Sequence, residues 1–352
     1  MPIDSPEPDA RQDDRPPGVA EKTPALRWRK RLMFFIKLVI TAALVGWIIA
    51  AVDWADVGQR LAGMSWVVIA VVLLIWTGCV IGSAMKWQQL LAVHGAPYRL
   101  WTLVRWYFIG FFLGQFLPSM IGGDAYRVYK TLDNPAGKTS AVLAIFVERA
   151  TGMLALLALG WVAAVILLVQ TGDDVARWLV FFGGGCAVAG LVTMAVMMRF
   201  KLLGKIARHR RCPGKLRVLI ERAWEYREHP GRMAIVALLS FLFHGSRAGL
   251  YFLLFWAIAE PQGLMQLTIV MAVTTVVSML PISLNGYGLV DGSFIYLMHQ
   301  YGASEAAGTT VMVLIRVTTI PVALVGGLFY FADSGGKTPS KAEASLALQA
   351  KA

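Results

Sequence analysis

Six stretches of this chain stay apolar for about 20 residues, the length an α-helix needs to cross a bilayer. They lie at roughly 32–52, 63–85, 139–170, 175–198, 231–259 and 304–331. Inside hydrocarbon no water satisfies backbone N–H and C=O groups, so each stretch must close its hydrogen bonds within itself as a helix. With 57 % hydrophobic residues, 15 % charged residues and a mean hydropathy of +0.61, the chain reads as an all-α polytopic membrane protein. Its net charge of +12 does not point to nucleic acid. The basic residues sit in short segments between apolar runs, with no nucleic-acid-binding motif among them.

Those basic residues set the orientation. Arg27, Arg29, Lys30 and Arg31 precede the first run, and the linker 199–232 carries eleven Lys and Arg against three Glu, whereas 171–174 and 260–263 carry no Lys or Arg. By the positive-inside rule the linker and both termini are cytoplasmic. Residues 1–31 and 332–352 read as disordered tails around a transmembrane domain at 32–331. No cleavable signal sequence is visible before the first run. Trp224 and Tyr226 among the arginines suggest that the linker lies on an anionic lipid surface. Cys79, Cys186 and Cys212 are scattered and show no metal-ligand spacing, and no cofactor motif accompanies them.

Two stretches, 100–138 and 264–303, do not fit simple spans. Each runs apolar into Leu-Pro and then breaks, as LPSMIGGD from 117 and as LPISLNGYGLVDG from 280. Five residues beyond Pro118 and Pro281 stand Gly123 and Gly286, preceded by Gly122 and Asn285. An aspartate follows, Asp124 or Asp291, and 25 residues beyond each lies an arginine, Arg149 or Arg316. Proline removes a backbone donor and glycine opens positive φ, so Pro118, Pro281 and Gly288 are the expected hinges. The leg after Pro118 carries Asp124, Arg127, Lys130, Asp133 and Lys138, too much charge to cross lipid. Both stretches therefore read as re-entrant hairpins, with two short spans as the alternative for the second. The expected fold is six full spans plus two re-entrant hairpins, arranged as inverted-topology repeats at 63–170 and 231–331. Such repeats place a substrate site near the midplane, where helices opening after Gly123 and Gly286 would aim free amides at an anion.

Charges within apolar runs are costly and generally meet a partner or a polar cavity. Those away from the ends of the later runs are Glu148, Arg149, Arg247 and Arg316, with His244 one turn before Arg247. Arginines converging on the hairpin tips would hold a phosphate, whose oxygens match the planar guanidinium fork. Structural ion pairing among Asp124, Arg127, Glu148 and Arg316 is the competing reading, and His244 reads equally as a packed interior histidine. No phosphate-binding loop, zinc-protease helix or serine elbow is present.

The stretches FFLGQFLPSMIGGDAYRVY, VERATG and LPISLNGYGLVDG, with the late Arg316, resemble flippase-like membrane proteins related to the transmembrane region of lysylphosphatidylglycerol synthases. The resemblance covers about 32–331 and extends to Pro118, Gly122, Gly123, Asp124, Arg127, Glu148, Arg149, Pro281, Gly286, Gly288 and Arg316. At position 291 the family more often has glutamate where this chain has Asp291. The resemblance implies a bacterial inner-membrane protein that moves a phosphate-bearing polar lipid between leaflets. The synthases' soluble aminoacyl-transferring domain has no counterpart here, so aminoacylation is not implied. Two rival readings are an integral membrane transferase on a lipid-linked substrate, with Asp124 or Glu148 as base, and a non-catalytic partner of a separate lipid- or glycan-modifying enzyme.

The orientation is testable by single cysteines on a cysteine-free background. Positions within 53–60 and 171–174 are expected to react with an impermeant reagent on intact cells, and position 215 to be protected. Labelling of 215 from outside overturns the arrangement.

Overall fold

In the computed structural model four helices among the described residues are long and apolar enough to cross a membrane. The structure describes residues 54–116, 121–132, 137–185 and 214–334 apart from positions 97, 175, 182, 281 and 283–285, together with Val39, Ala43, Gly46 and Ala50. The runs expected at 32–52 and 175–198, the linker before 214, both tails, Pro118, Pro281 and Asn285 thus lie wholly or largely outside the described residues.

The elements are α1 (Trp54–Ala62), α2 (Trp66–Val93), α3 (Leu100–Phe116), α4 (Ile121–Lys130), α5 (Lys138–Thr171), α6 (Gly214–Glu225), α7 (Pro230–Ala257), α8 (Leu264–Ser278), α9 (Leu289–Gln300) and α10 (Glu305–Ser334). No strand occurs among the described residues. The four long helices are α2, α5, α7 and α10, at the positions of four apolar runs. Their boundaries follow from local chemistry. The Ser65 hydroxyl accepts the Val67 N–H to start α2, Pro230 sits in the first turn of α7 where its missing donor costs nothing, and Gly172 ends α5 in the left-handed conformation at φ 69°. Leu74, Leu154 and Leu328 are each at least 66 % exposed. Large apolar side chains facing outward along spans of this length face lipid.

Each expected hairpin holds a pair of short helices, α3 with α4 across residues outside the described set and α8 with α9 across a break. At 17, 10, 15 and 12 residues these legs are about 26, 15, 23 and 18 Å long by helical rise, all shorter than the hydrocarbon core of about 30 Å. Gly286 and Gly288 take φ of 76° and 77°, so the second break uses the backbone freedom expected of it. The first differs from expectation. Helix α4 begins at Ile121, so Gly123 lies inside it, and its bare Cα serves to let α4 touch the Gly110 backbone of α3. Likewise the free helix start of the second hairpin follows Gly288, not Gly286.

Packing between the halves is reciprocal. Helix α3 packs on α10, α8 packs on α5, and α2 packs on α7. Glycine permits both of the first two contacts. A Cβ on Gly326 of α10 would overlap the Phe108 carbonyl of α3, and one on Gly160 of α5 would lie 2.6 Å from the Ala272 Cβ of α8.

At the end expected outside, Arg60 of α1 pairs with Glu260 at 2.8 Å, and Glu260 accepts the Ser304 N–H and hydroxyl at 3.0 and 2.8 Å. Burial alone would push the Glu260 carboxyl up, but Ser304 and Arg60 outweigh it and hold it below the usual range. At the opposite end His94 meets Glu225 at 2.7 Å and Arg232 donates to Gln89 at 2.9 Å. Tyr226, expected at the lipid surface, is buried against His94 with ring centroids 4.8 Å apart. The end of the linker is therefore docked on the helical bundle.

Gly326→Ala is expected to destabilise by about 1–3 kcal/mol, because the new methyl must push α10 from α3. Gly78→Ala, with nothing within 4 Å of the added Cβ, is expected to hold or raise the melting temperature. Thermal melts of both variants in detergent check the opposite signs.

Candidate functional site

Asp124 and Asp291 both fall in the first turn of a helix that follows a break, where the helix N-terminus favours a carboxylate. Each meets the arginine 25 residues later. Arg149 donates from Nε and Nη2 to the two oxygens of Asp124 at 3.1 and 3.0 Å, and Arg316 donates from Nη2 and Nε to Asp291 Oδ1 at 2.9 and 3.3 Å. Asp291 Oδ2 also accepts the Gly288 N–H at 2.9 Å, and the Arg316 guanidinium lies 4.2 Å from the Tyr287 ring centroid. The repeated spacing in the sequence thus corresponds to two bonded pairs.

The first pair belongs to a larger network. Arg127 is only 2 % exposed and donates to Asp124 at 2.5 Å and to Glu148 Oε2 at 2.8 Å. Glu148 Oε1 accepts the Tyr107 hydroxyl at 2.9 Å. The Arg127 guanidinium also lies 4.3 Å from the Tyr107 ring centroid and 5.1 Å from that of Trp87. One buried cation therefore joins α4 to α5 through Glu148, to α3 through Tyr107 and to α2 through Trp87. Such a charge is tolerated in a low-dielectric interior only when paired and hydrogen-bonded.

Among the described residues the second half carries no counterpart of that network. The offset that takes Asp124 to Asp291 and Arg149 to Arg316 takes Arg127 to Phe294 and Glu148 to Ile315. Both are buried, and Phe294 packs on Tyr251 and Phe255 at 5.2 and 6.3 Å. An apolar contact occupies the place of the buried ion pair.

Arg149 is the accessible member of the first cluster, its side chain 58 % exposed. With Asp124 it closes one end of a groove of about 500 Å³ between α4 and α5, whose walls include Val128, Leu132, Val142, Ile145 and Phe146. Gly122 and Gly123 sit on the same turn of α4. His244 and Arg247 are apart from this groove, at the α2–α7 contact, where Lys86 joins them. No hydrogen bond or ion pair among the described residues connects the Asp124–Arg149 pair with Asp291–Arg316. Among the described residues, too, no three His, Cys, Asp or Glu side chains gather to hold a metal.

Sequence reasoning missed Lys86, Tyr107, Trp87 and Tyr287. The run expected at 63–85 stops just before Lys86, but α2 continues to Val93. Trp76, Cys79, Ser83 and Lys86 recur at helical spacing, which marks one face of a longer helix.

The family model described as the lysylphosphatidylglycerol synthase TM region matches residues 34–326. The chain belongs to this family. A comparison with curated proteins finds no match. Membership fits an integral membrane protein linked to lipid, and it fits the four spanning helices.

The geometry separates two kinds of arginine. Arg127→Ala leaves Glu148 buried without its cation and is expected to cost about 3–5 kcal/mol. Arg149→Ala breaks a half-exposed pair and is expected to cost at most about 1 kcal/mol. Melting curves of the two variants in one detergent decide it, and equal losses would refute the division.

Proposed function

We propose that this member of the family moves a polar lipid with an anionic, phosphate-bearing headgroup between the leaflets of a bacterial inner membrane. The observation that carries the reading is the groove between α4 and α5, apolar along its walls and closed by Arg149 on Asp124. An amphipathic lipid has the same division. Acyl chains suit Val128, Leu132 and Phe146, and a phosphate suits the guanidinium fork. Because Asp124 keeps Arg127 as a partner, a phosphate can displace it from Arg149 without leaving a bare carboxylate. Arg316 on Asp291, stacked on Tyr287, is the matching element of the second half.

On this reading the helix pairs α3–α4 and α8–α9 are re-entrant, and the two halves are inverted repeats that exchange exposure of the headgroup path. Their short legs, the paired acid and arginine in each half, and the reciprocal packing of α3 on α10 and α8 on α5 support it. Both termini and the basic linker are cytoplasmic in this arrangement, with the linker's basic residues on the side of anionic headgroups.

Reconstitution tests the proposal. Vesicles holding purified protein and tail-labelled phosphatidylglycerol are expected to exchange label between leaflets faster than empty vesicles, as read by an impermeant quencher. Arg149→Ala is expected to slow exchange at least tenfold while melting near the wild-type temperature. New lipid products would favour a membrane transferase, and inertness with retained binding of a synthase would favour a partner role. Exchange no faster than in empty vesicles overturns the transport reading.

A further inference from the structure

Helices α2 and α7 meet along a polar stripe that neither acid–arginine pair uses. On α2 the stripe comprises Trp76, Cys79, Ser83 and Lys86, and on α7 it comprises His244 and Arg247. Lys86 and His244 are 4 % and 8 % exposed. The Lys86 ammonium lies 5.3 Å from the Phe243 ring centroid, and the Arg247 guanidinium 5.9 Å from that of Trp76. Arg247 Nε, His244 Nδ1 and Trp76 Nε1 are buried and have no hydrogen-bond partner among the described residues. Helix α5 faces this point with Gly152, where a Cβ would lie 3.8 Å from His244 Nε2 and 3.9 Å from Lys86 Nζ, and His244 bonds the Gly152 backbone.

Charge is unbalanced here. Lys86 feels Glu148, but both Glu148 oxygens already accept hydrogen bonds, from Tyr107 and from Arg127. Among the described residues no carboxylate pairs with Lys86 or Arg247. Four basic side chains, Lys86, Arg127, Arg149 and Arg247, thus share two carboxylates, Asp124 and Glu148. A buried cation without a counter-ion is strongly disfavoured. Two unpaired N–H donors, Arg247 Nε and Trp76 Nε1, beside surplus positive charge therefore suit an anion that the described residues do not supply.

We propose that Lys86, His244, Arg247 and Trp76 form a second phosphate site, reached by a headgroup after it leaves Arg149. It rests on the transport reading and places the headgroup path at the α2–α7 contact. From Lys86 to Trp76 the stripe climbs ten residues of α2, about 15 Å or half the hydrocarbon core. A phosphate on a lipid headgroup and a phosphate from solution present the same chemistry to the site.

Lys86→Met and Arg247→Met keep an unbranched apolar stem and remove the charge. With surplus charge gone, both are expected to melt at or above the wild-type temperature. Both are also expected to bind tail-labelled phosphatidylglycerol in detergent at least tenfold more weakly and to move it at least tenfold more slowly in vesicles. Labelled diacylglycerol, which lacks the phosphate, is expected to bind wild type and variants alike. Lys86→Arg and Arg247→Lys restore charge and are expected to restore phosphatidylglycerol binding, which separates a lost contact from a lost fold. If wild type moves no lipid but gains thermal stability from inorganic phosphate, and the Met variants lose that gain, transport fails while the anion site stands with free phosphate as its ligand. Wild-type binding of both probes by both Met variants, or early melting that the charge-restoring variants do not repair, overturns the site.

Discussion

A guanidinium buried at 2 % exposure organises the first half of this protein. Arg127 cannot stay charged in that interior alone, and its two carboxylates and two aromatic faces come from four different helices. Satisfying one side chain therefore fixes how α2, α3, α4 and α5 sit together. It also determines which groups remain free for chemistry. Glu148 is fully occupied by Arg127 and Tyr107, whereas Asp124 is shared between a buried arginine and a half-exposed one. Only the bond to Arg149 can be exchanged without stranding a charge.

The second half reaches similar packing by a different route. Phe294 and Ile315 stand where the offset places Arg127 and Glu148, and the aromatic contacts of Phe294 with Tyr251 and Phe255 fill the space. Well-packed apolar groups can replace a buried ion pair with little loss of stability. What an apolar contact cannot do is hold Asp291 from a second side. Asp291 instead takes the Gly288 amide, a backbone donor positioned by two left-handed glycines. The outer acid–arginine pair is common to both halves, and the inner support differs.

Much of this was legible in the sequence because membrane insertion makes hydropathy and charge unusually informative. Four apolar runs correspond to four long helices, and the 25-residue spacing of acid and arginine corresponds to bonded pairs in both halves. The rest depended on contacts between elements distant in sequence. Nothing local shows that Arg127 chooses Glu148 over solvent, or that Gly123 is bare because the Gly110 backbone crosses it. Lys86 was missed because hydropathy falls at a charge even where the helix continues, so a span judged by hydropathy ends at 85 while the helix runs on to Val93. Tyr226 looked interfacial for a related reason, since the basic residues around it conceal a docked ring.

The two groups of arginines follow from one electrostatic constraint. A cation in a low-dielectric interior must be compensated, and the described residues supply acids for Arg127, Arg149 and Arg316 but none for Lys86 or Arg247. Full internal compensation would stabilise the resting fold and leave a phosphate nothing to gain by entering. Under-compensation reverses the balance, because an anion that arrives beside Lys86 and Arg247 relieves a cost already present in the empty protein. On the proposed reading, binding energy for a headgroup deep in the membrane would come from correcting that imbalance, with no need for a rearrangement of Arg127. The buried network would then hold the helices together while the charge on α2 and α7 acts on the headgroup.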